Sequence, residues 1–288
     1  MTTLSPSGAS LRRHTFGPIE IALRQHAGEG VPIVFVHGTL EDHNFWRSVI
    51  EHVARGHLGP KRPMITYDRR GHGASTDQPG QGAFSQDVDD LEAIIRELCG
   101  ARAHLVGHSY GATIAIALSA RAPECVASLF AFEAPLFGLL AERPETGGLL
   151  RDASAKMARA LTVLEGGRIE EGVELFIDGV AFGDGAWRAR MDRSARERML
   201  ANVDTWIDQA RDPERFSVSA DGLGLLGSHA TLCSGSQSLP TFQAVTSALR
   251  ERFAMIGHAE IEGAAHDAPA THPAAFARRL LQHLERAL

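Results

Sequence analysis

The run Gly107-His108-Ser109-Tyr110-Gly111 leaves this chain few ways to fold. It follows a short apolar segment with Ala103, Leu105 and Val106, and it runs straight into the small-residue stretch Ala112-Thr113-Ile114-Ala115-Ile116-Ala117-Leu118. A strand that enters a G-x-S-x-G turn and leaves as a helix must reverse within a few residues, which holds the central side chain proud of the sheet. The flanking glycines lack a Cβ where the turning backbone would clash with one. The helix then starts with free N–H groups aimed at any negative charge that develops beside the turn. Ser109 is therefore the candidate nucleophile.

The flanking segments supply the architecture. Ile19, Ile21 and Leu23 alternate with Glu20, Ala22 and Arg24, as in a half-exposed strand. Pro32 to Val36 is a continuous apolar run that suits a strand buried on both faces, and Met64 to Tyr67 is another short one. Val88, Leu91, Ile94, Ile95 and Leu98 fall at helical spacing, and Val126 to Phe132 reads as the strand after the elbow helix. Strands alternating with helices predict an α/β fold with a mostly parallel sheet, helices on both faces and right-handed crossovers. After Pro135 the alternation stops. Residues 149–164, 168–182 and 192–210 read as helices carrying Phe176, Phe182, Trp187, Trp206 and Ile207, and strand patterns resume at Ala230–Cys233 and Ala259–Ile261. A last amphipathic helix carries Phe276, Leu280, Leu281 and Leu284. The expected division is a core in two parts, 1–135 and 216–288, interrupted by a helical cap over 136–215. Such a cap would lie over the C-terminal edge of the sheet, where open α/β sheets bind ligands.

Composition narrows the class. A length of 288 residues is long for one core, and 44% hydrophobic with 22% charged residues is the balance of a soluble globular protein. The net charge of −6 argues against a nucleic-acid surface. The basic residues are nearly all Arg, a skew that fits genome composition, and the cluster Arg188, Arg190, Arg193, Arg196 and Arg198 reads as a solvated helix face. No apolar run approaches the length of a membrane span and the N-terminus lacks a signal-peptide pattern, so a cytoplasmic protein without membrane attachment is expected. Cys99, Cys125 and Cys233 form no C-x-x-C pair and read as buried thiols; no metal and no cofactor is expected. The expected partner is a small-molecule substrate, with a homodimer left open.

Four motifs in order carry a resemblance. His37-Gly38-Thr39 resembles an oxyanion loop, Asp68-Arg69-Arg70-Gly71-His72-Gly73-Ala74-Ser75 a D-x-R-G-x-G-x-S turn, Gly107 to Gly111 a nucleophile elbow, and Gly263-Ala264-Ala265-His266 a late G-x-x-H. From about residue 17 onward the chain resembles the α/β-hydrolase fold, in its serine hydrolase branch. The resemblance implies oxyanion donors at the backbone N–H groups of Tyr110 and Thr39. It also makes His37, Gly38, Gly107, His108, Gly111 and Asp68 structural elements of the motifs.

A Ser hydroxyl needs a neighbour to take its proton, and His does this best near neutral pH. Of 14 histidines, His266 closes a strand and opens a loop late in the chain, as the order Ser, acid, His requires. His43, His52 and His57 are expected to face solvent beside an early helix, His72 and His108 to serve their turns, and His272 and His283 to belong to the last helix. The acid departs from the commonest pattern of the fold. Ser238 stands where an Asp usually follows the strand after the cap, and no carboxylate occurs between Ala230 and Leu249. A hydroxyl can orient a histidine but does not stabilise its imidazolium, so a weakened triad is one reading. Glu133, ending the apolar run Phe130-Ala131-Phe132, is the better candidate, and its place resembles that of the acid in some haloalkane dehalogenases and zearalenone-type lactonases. The bland alternative is a strand-end Glu facing solvent. Asp68 and Asp267 read as structural.

These residues imply a cofactor-independent serine hydrolase acting on a carboxylic ester or lactone, with an apolar acyl or aromatic substrate suggested by the Phe, Leu and Trp of the cap. C–C bond hydrolysis, perhydrolysis or acyl transfer would use the same triad. A non-catalytic small-molecule receptor on the same scaffold is the reading from a different class.

Overall fold

The computed structural model describes residues 9–56, 62–76 and 81–287. Eight strands form one sheet in the order β1-β2-β4-β3-β5-β6-β7-β8. They are β1 (Arg12–Phe16), β2 (Ile19–His26), β3 (Ile33–Val36), β4 (Met64–Tyr67), β5 (Ala103–His108), β6 (Val126–Phe132), β7 (Ala230–Gly235) and β8 (Gly257–Ile261). The pairs β1–β2 and β2–β4 are antiparallel and the remaining pairs parallel. The central strands are apolar at successive positions because both faces are covered. Val34, Val36, Leu105, Leu129 and Ala131 pack on one side. Ile33, Phe35, Val106, Phe130 and Phe132 pack on the other. That is the period of two expected of a pleated strand.

Helices α1 (Arg47–Arg55), α2 (Phe84–Leu98) and α3 (Tyr110–Arg121) connect β3 to β4, β4 to β5 and β5 to β6. Between β6 and β7 the described residues contain helices and no strand: α4 (Gly147–Glu165), α5 (Ile169–Phe176), α6 (Ala186–Ala189), α7 (Arg193–Ala201), α8 (Val203–Arg211) and α9 (Asp221–Leu226). The helix expected over 168–182 runs as α5 to Phe176 and then widens into a π-turn at Ile177–Ala181. The one expected over 192–210 breaks at Asn202, whose backbone leaves the helical region. These helices share a small core built from Leu164, Ile177, Phe182, Trp187, Met199 and Trp206, into which Leu40 of the loop after β3 inserts. The chain closes with α10 (Pro240–Arg252), α11 (Ala268–Thr271) and α12 (Pro273–Arg286). No described helix is long and apolar enough to cross a membrane.

Two expectations are corrected. His43 is buried rather than solvent-facing: its ring Nδ1 lies 2.6 Å from Asp68 Oδ1, which also accepts the His43 backbone N–H at 2.7 Å. His52 is half-buried, and His57 lies outside the described residues. The Arg cluster is not one solvated face. Arg188 and Arg193 are exposed, but Arg198 pairs with the buried Glu41 at 2.8 Å and Arg190 with the buried Asp267 at 3.2 Å.

A buried polar string crosses the sheet on the side of α12. Ser128 Oγ lies 2.8 Å from His104 Nδ1 and 2.9 Å from His283 Nε2, and His283 Nδ1 lies 2.8 Å from Thr231 Oγ1. Burial lowers His104 to about 4 and His283 to about 3. The unfolded chain protonates these rings near their ordinary value of about 6.5 while the folded chain resists, so stability is full above that pH and falls as the pH drops toward 4. Melting followed by circular dichroism should show Tm decreasing steadily from pH 7 to pH 4. His283→Gln should flatten part of that slope, whereas a variant with the unaltered slope would show that the string contributes nothing to it.

Candidate active site

Ser109 sits between β5 and α3 at φ 54 and ψ −124, a backbone conformation that L-residues rarely adopt. The neighbouring glycines make the turn feasible. A Cβ on Gly107 would lie 2.5 Å from Ala112 Cα, and one on Gly111 would lie 2.3 Å from the Val36 carbonyl oxygen. The loop after β3 passes equally close, since a Cβ on Gly38 would lie 3.0 Å from Ser109 Cβ. Thr39 follows, then Leu40 at φ 64. His37 is held neutral by burial and the nearby Arg69. Its Nε2 accepts the Arg69 N–H at 3.0 Å and its Nδ1–H donates to Gly38 O at 2.9 Å, which fixes the loop. Asp68 takes the Ala74 N–H as well as the two donors of His43. Asp42, His43 and Asp68 cluster closely enough to hold a cation. Their oxygens, however, are engaged by N–H groups at 2.6–3.2 Å, which fits a loop clamp.

His266 and Glu133 meet. The imidazole Nδ1 lies 2.7 Å from Glu133 Oε2, while Gly235 N–H donates to Oε1 at 2.7 Å. Both side chains are buried. Glu133 follows β6 at φ 49, another non-glycine residue at positive φ, and its N–H donates to Cys233 O. Burial pushes its carboxyl up, opposed by the Ser238 hydroxyl and the Gly235 N–H. Ser238 Oγ is buried beside that carboxylate without a well-formed hydrogen bond of its own. Burial likewise favours the neutral form of His266. A neutral ring with its proton on Nδ1 donates to Glu133 and leaves Nε2 as an acceptor. The ring is clamped by Phe242, stacked at 3.9 Å between centroids, and the His266 carbonyl receives the Nε2–H of His108 at 2.8 Å. His108 thus does more than fill its turn, since it ties the elbow to the loop that carries His266.

Ser109, Thr39, Tyr110 and His266 line one cavity of about 80 Å³. Ser109 and His266 both line this space, with no direct hydrogen bond between them. The helices between β6 and β7 contribute Met157, Phe176, Val180, Trp206 and Gln209 to its wall. Tyr110 and Gln209 also border a wider groove of about 650 Å³ between α8 and the start of α2.

The sequence reading missed how α7 and α8 are fastened to the loops beneath them. Arg198 reaches Glu41, Asn202 donates to the Leu40 and Glu41 carbonyls and accepts Gly73 N–H, Thr205 meets His72, and Gln209 accepts from Thr39. Positions 198, 202, 205 and 209 recur at helical spacing, a polar stripe that periodicity could have found. Asp267, next to His266 in sequence, pairs with Arg190 rather than with the ring.

A serine on a strand-to-helix turn, a buried His–Glu pair and a mostly parallel eight-stranded sheet define a protein of the α/β-hydrolase class. The chain belongs to the alpha/beta hydrolase family, whose model matches residues 33–279. Over 100 residues it is 36% identical to the dihydrolipoyllysine-residue acetyltransferase component of an acetoin cleaving system from Pseudomonas putida, covering 35% of this chain and 26% of that protein. Over 123 residues it is 33% identical to the 2-(acetamidomethylene)succinate hydrolase of Mesorhizobium japonicum, covering 42% of each. The chain therefore spans less than half the length of these curated relatives. Among solved structures, an alpha/beta hydrolase from Sphaerobacter thermophilus superposes with a TM-score of 0.69 at 22% identity, covering 95% of this chain and 100% of that one, a likeness of fold.

Proposed function

We propose that this protein is a cofactor-independent serine hydrolase that cleaves a carboxylic ester or lactone through an acyl-enzyme on Ser109. The observation that carries this reading is the 2.7 Å pairing of His266 with Glu133 at the edge of the cavity that Ser109 enters. Ser109 Oγ attacks the carbonyl carbon and His266 Nε2 takes the hydroxyl proton. Glu133 holds the opposite edge of the ring at Nδ1 and stabilises the imidazolium. The backbone N–H groups of Thr39 and Tyr110 receive the oxyanion, each worth about 3 kcal/mol of transition-state stabilisation. The tetrahedral intermediate collapses, His266 returns the proton to the leaving alkoxide, and the alcohol departs. Water then attacks the acyl-enzyme with His266 as base and frees the acid. The helices of 136–215 act as a cap whose apolar side chains exclude bulk water and favour an apolar acyl or aromatic group.

Hydrolysis of p-nitrophenyl esters of increasing acyl length, run beside fluorophosphonate labelling of Ser109, tests the reading. Turnover of short esters with stoichiometric label supports it. Labelling without ester turnover would shift the assignment to C–C hydrolysis, perhydrolysis or acyl transfer by the same residues. Absence of both would favour a receptor.

A further inference from the structure

The wall of the Ser109 cavity carries two polar groups that ester hydrolysis leaves unused. Gln209, on α8, is buried, and its Oε1 accepts the Thr39 hydroxyl at 3.0 Å. That contact engages the carboxamide oxygen, and among the described residues its two N–H donors have no hydrogen-bond partner. Thr113 lies one helical turn beyond Ser109 on α3, and its hydroxyl is buried with no hydrogen-bond partner among the described residues. Some other hydroxyls on the helices return to the carbonyl one turn back, as Ser119 does to Ala115 and Thr162 to Ala158. Thr113 does not. A buried hydroxyl left unpaired is unfavourable unless something else satisfies it.

Apart from Ser109, Thr39, Tyr110 and His266, the rest of the wall is apolar, and among the described residues no Asp, Glu, Lys or Arg lines the cavity. A charged acyl group would be desolvated there without a counter-charge. The volume of about 80 Å³ has room for roughly five to eight water-sized groups, the size of a short acyl chain. The wider groove across Tyr110 and Gln209 is then the side open to a leaving group.

We infer that Gln209 and Thr113 form a recognition point for a hydrogen-bond acceptor within a short, neutral acyl group, so that alkoxy- or keto-substituted acyl esters are preferred over plain alkyl esters. This rests on the hydrolase reading for its chemistry, while the recognition itself is a binding property that is measurable without turnover. The rigid partner of Gln209 is Thr39 of the oxyanion loop, so the same carboxamide that reads the substrate is held in register with the reacting carbonyl.

Two isosteric pairs test it. For p-nitrophenyl methoxyacetate against p-nitrophenyl butanoate, the ratio of kcat/KM values is divided by the ratio for uncatalysed alkaline hydrolysis. That corrected preference should favour the methoxy ester in the wild type and fall roughly fivefold to tenfold in Gln209→Leu and in Thr113→Val, the effect of one lost hydrogen bond. On Ser109→Ala, methoxyacetone should bind more tightly than 2-pentanone in ligand-observed NMR titration, and adding Gln209→Leu should remove the difference. Equal loss on both esters in both variants would reduce Gln209 and Thr113 to structural supports and overturn the inference, as would equal ketone affinities. If no ester is turned over, the ketone titration still decides the recognition point, and the hydrolase reading fails separately.

Discussion

Glu133→Gln is expected to lower kcat about 10⁴-fold while leaving the fold intact. The geometry says why so small a change acts so strongly. Gly235 N–H donates to Oε1 at 2.7 Å, so the amide oxygen of a glutamine is held on that side. Its NH₂ group then faces His266 Nδ1, where the carboxylate oxygen stood at 2.7 Å. Two donors cannot share that contact, so the imidazole keeps its proton on Nε2 instead. A ring protonated there has nothing with which to accept the Ser109 proton. The pH profile gives a second readout. The carboxylate is the negative charge adjoining the ring; without it, the burial that already disfavours the imidazolium of His266 acts unopposed. The acid limb of kcat/KM should therefore move to lower pH in the variant even as the plateau collapses. Steady-state kinetics between pH 4 and 9, with circular dichroism to verify folding, check both effects. A variant within tenfold of the wild type would place the catalytic acid elsewhere.

The sheet was legible because its strands are short apolar runs bounded by turn residues. Met64–Tyr67 and Val126–Phe132 were bounded correctly from sequence, since hydrophobic pattern and strand limits coincide there. The elbow was legible for a different reason: Gly107 and Gly111 each mark a place where backbone atoms approach too closely for a Cβ. The approach of Glu133 to His266 followed from a missing carboxylate near Ser238 and one misplaced at the end of an apolar strand. What stayed hidden depends on tertiary pairing. Nothing local tells that His43 turns inward to Asp68, because its neighbours Asp42 and Asn44 are polar and its partner lies in another loop. The Arg198 side chain resembles its exposed neighbour Arg193 in sequence and differs only in meeting a buried carboxylate. Gln209 and Thr113 likewise carry no motif, and their interest comes from the apolar wall that surrounds them.

Ser109→Ala is expected to reduce turnover by about 10⁵-fold to 10⁶-fold and to abolish fluorophosphonate labelling, with Tm unchanged. The unchanged Tm follows from the backbone: alanine retains the Cβ, and with it the strain of φ 54 and ψ −124. Ser109→Gly separates that strain from the chemistry. Holding a non-glycine residue in such a conformation costs about 1–3 kcal/mol, whereas glycine adds about 0.5–1 kcal/mol of unfolded-state entropy. The glycine variant should thus be inactive yet about 1 kcal/mol more stable than either serine or alanine, with Tm higher by about 2–4 °C. Calorimetry on the three proteins measures the difference directly. A glycine variant that melts below the alanine variant would mean that the turn carries no strain. More than about 1% residual turnover in Ser109→Ala would show that the bond is cleaved by another nucleophile. The expected pattern has one physical origin. The strand–turn–helix reversal that holds the hydroxyl clear of the sheet is a geometry that serine tolerates and glycine prefers, and only serine carries the oxygen that the reaction needs.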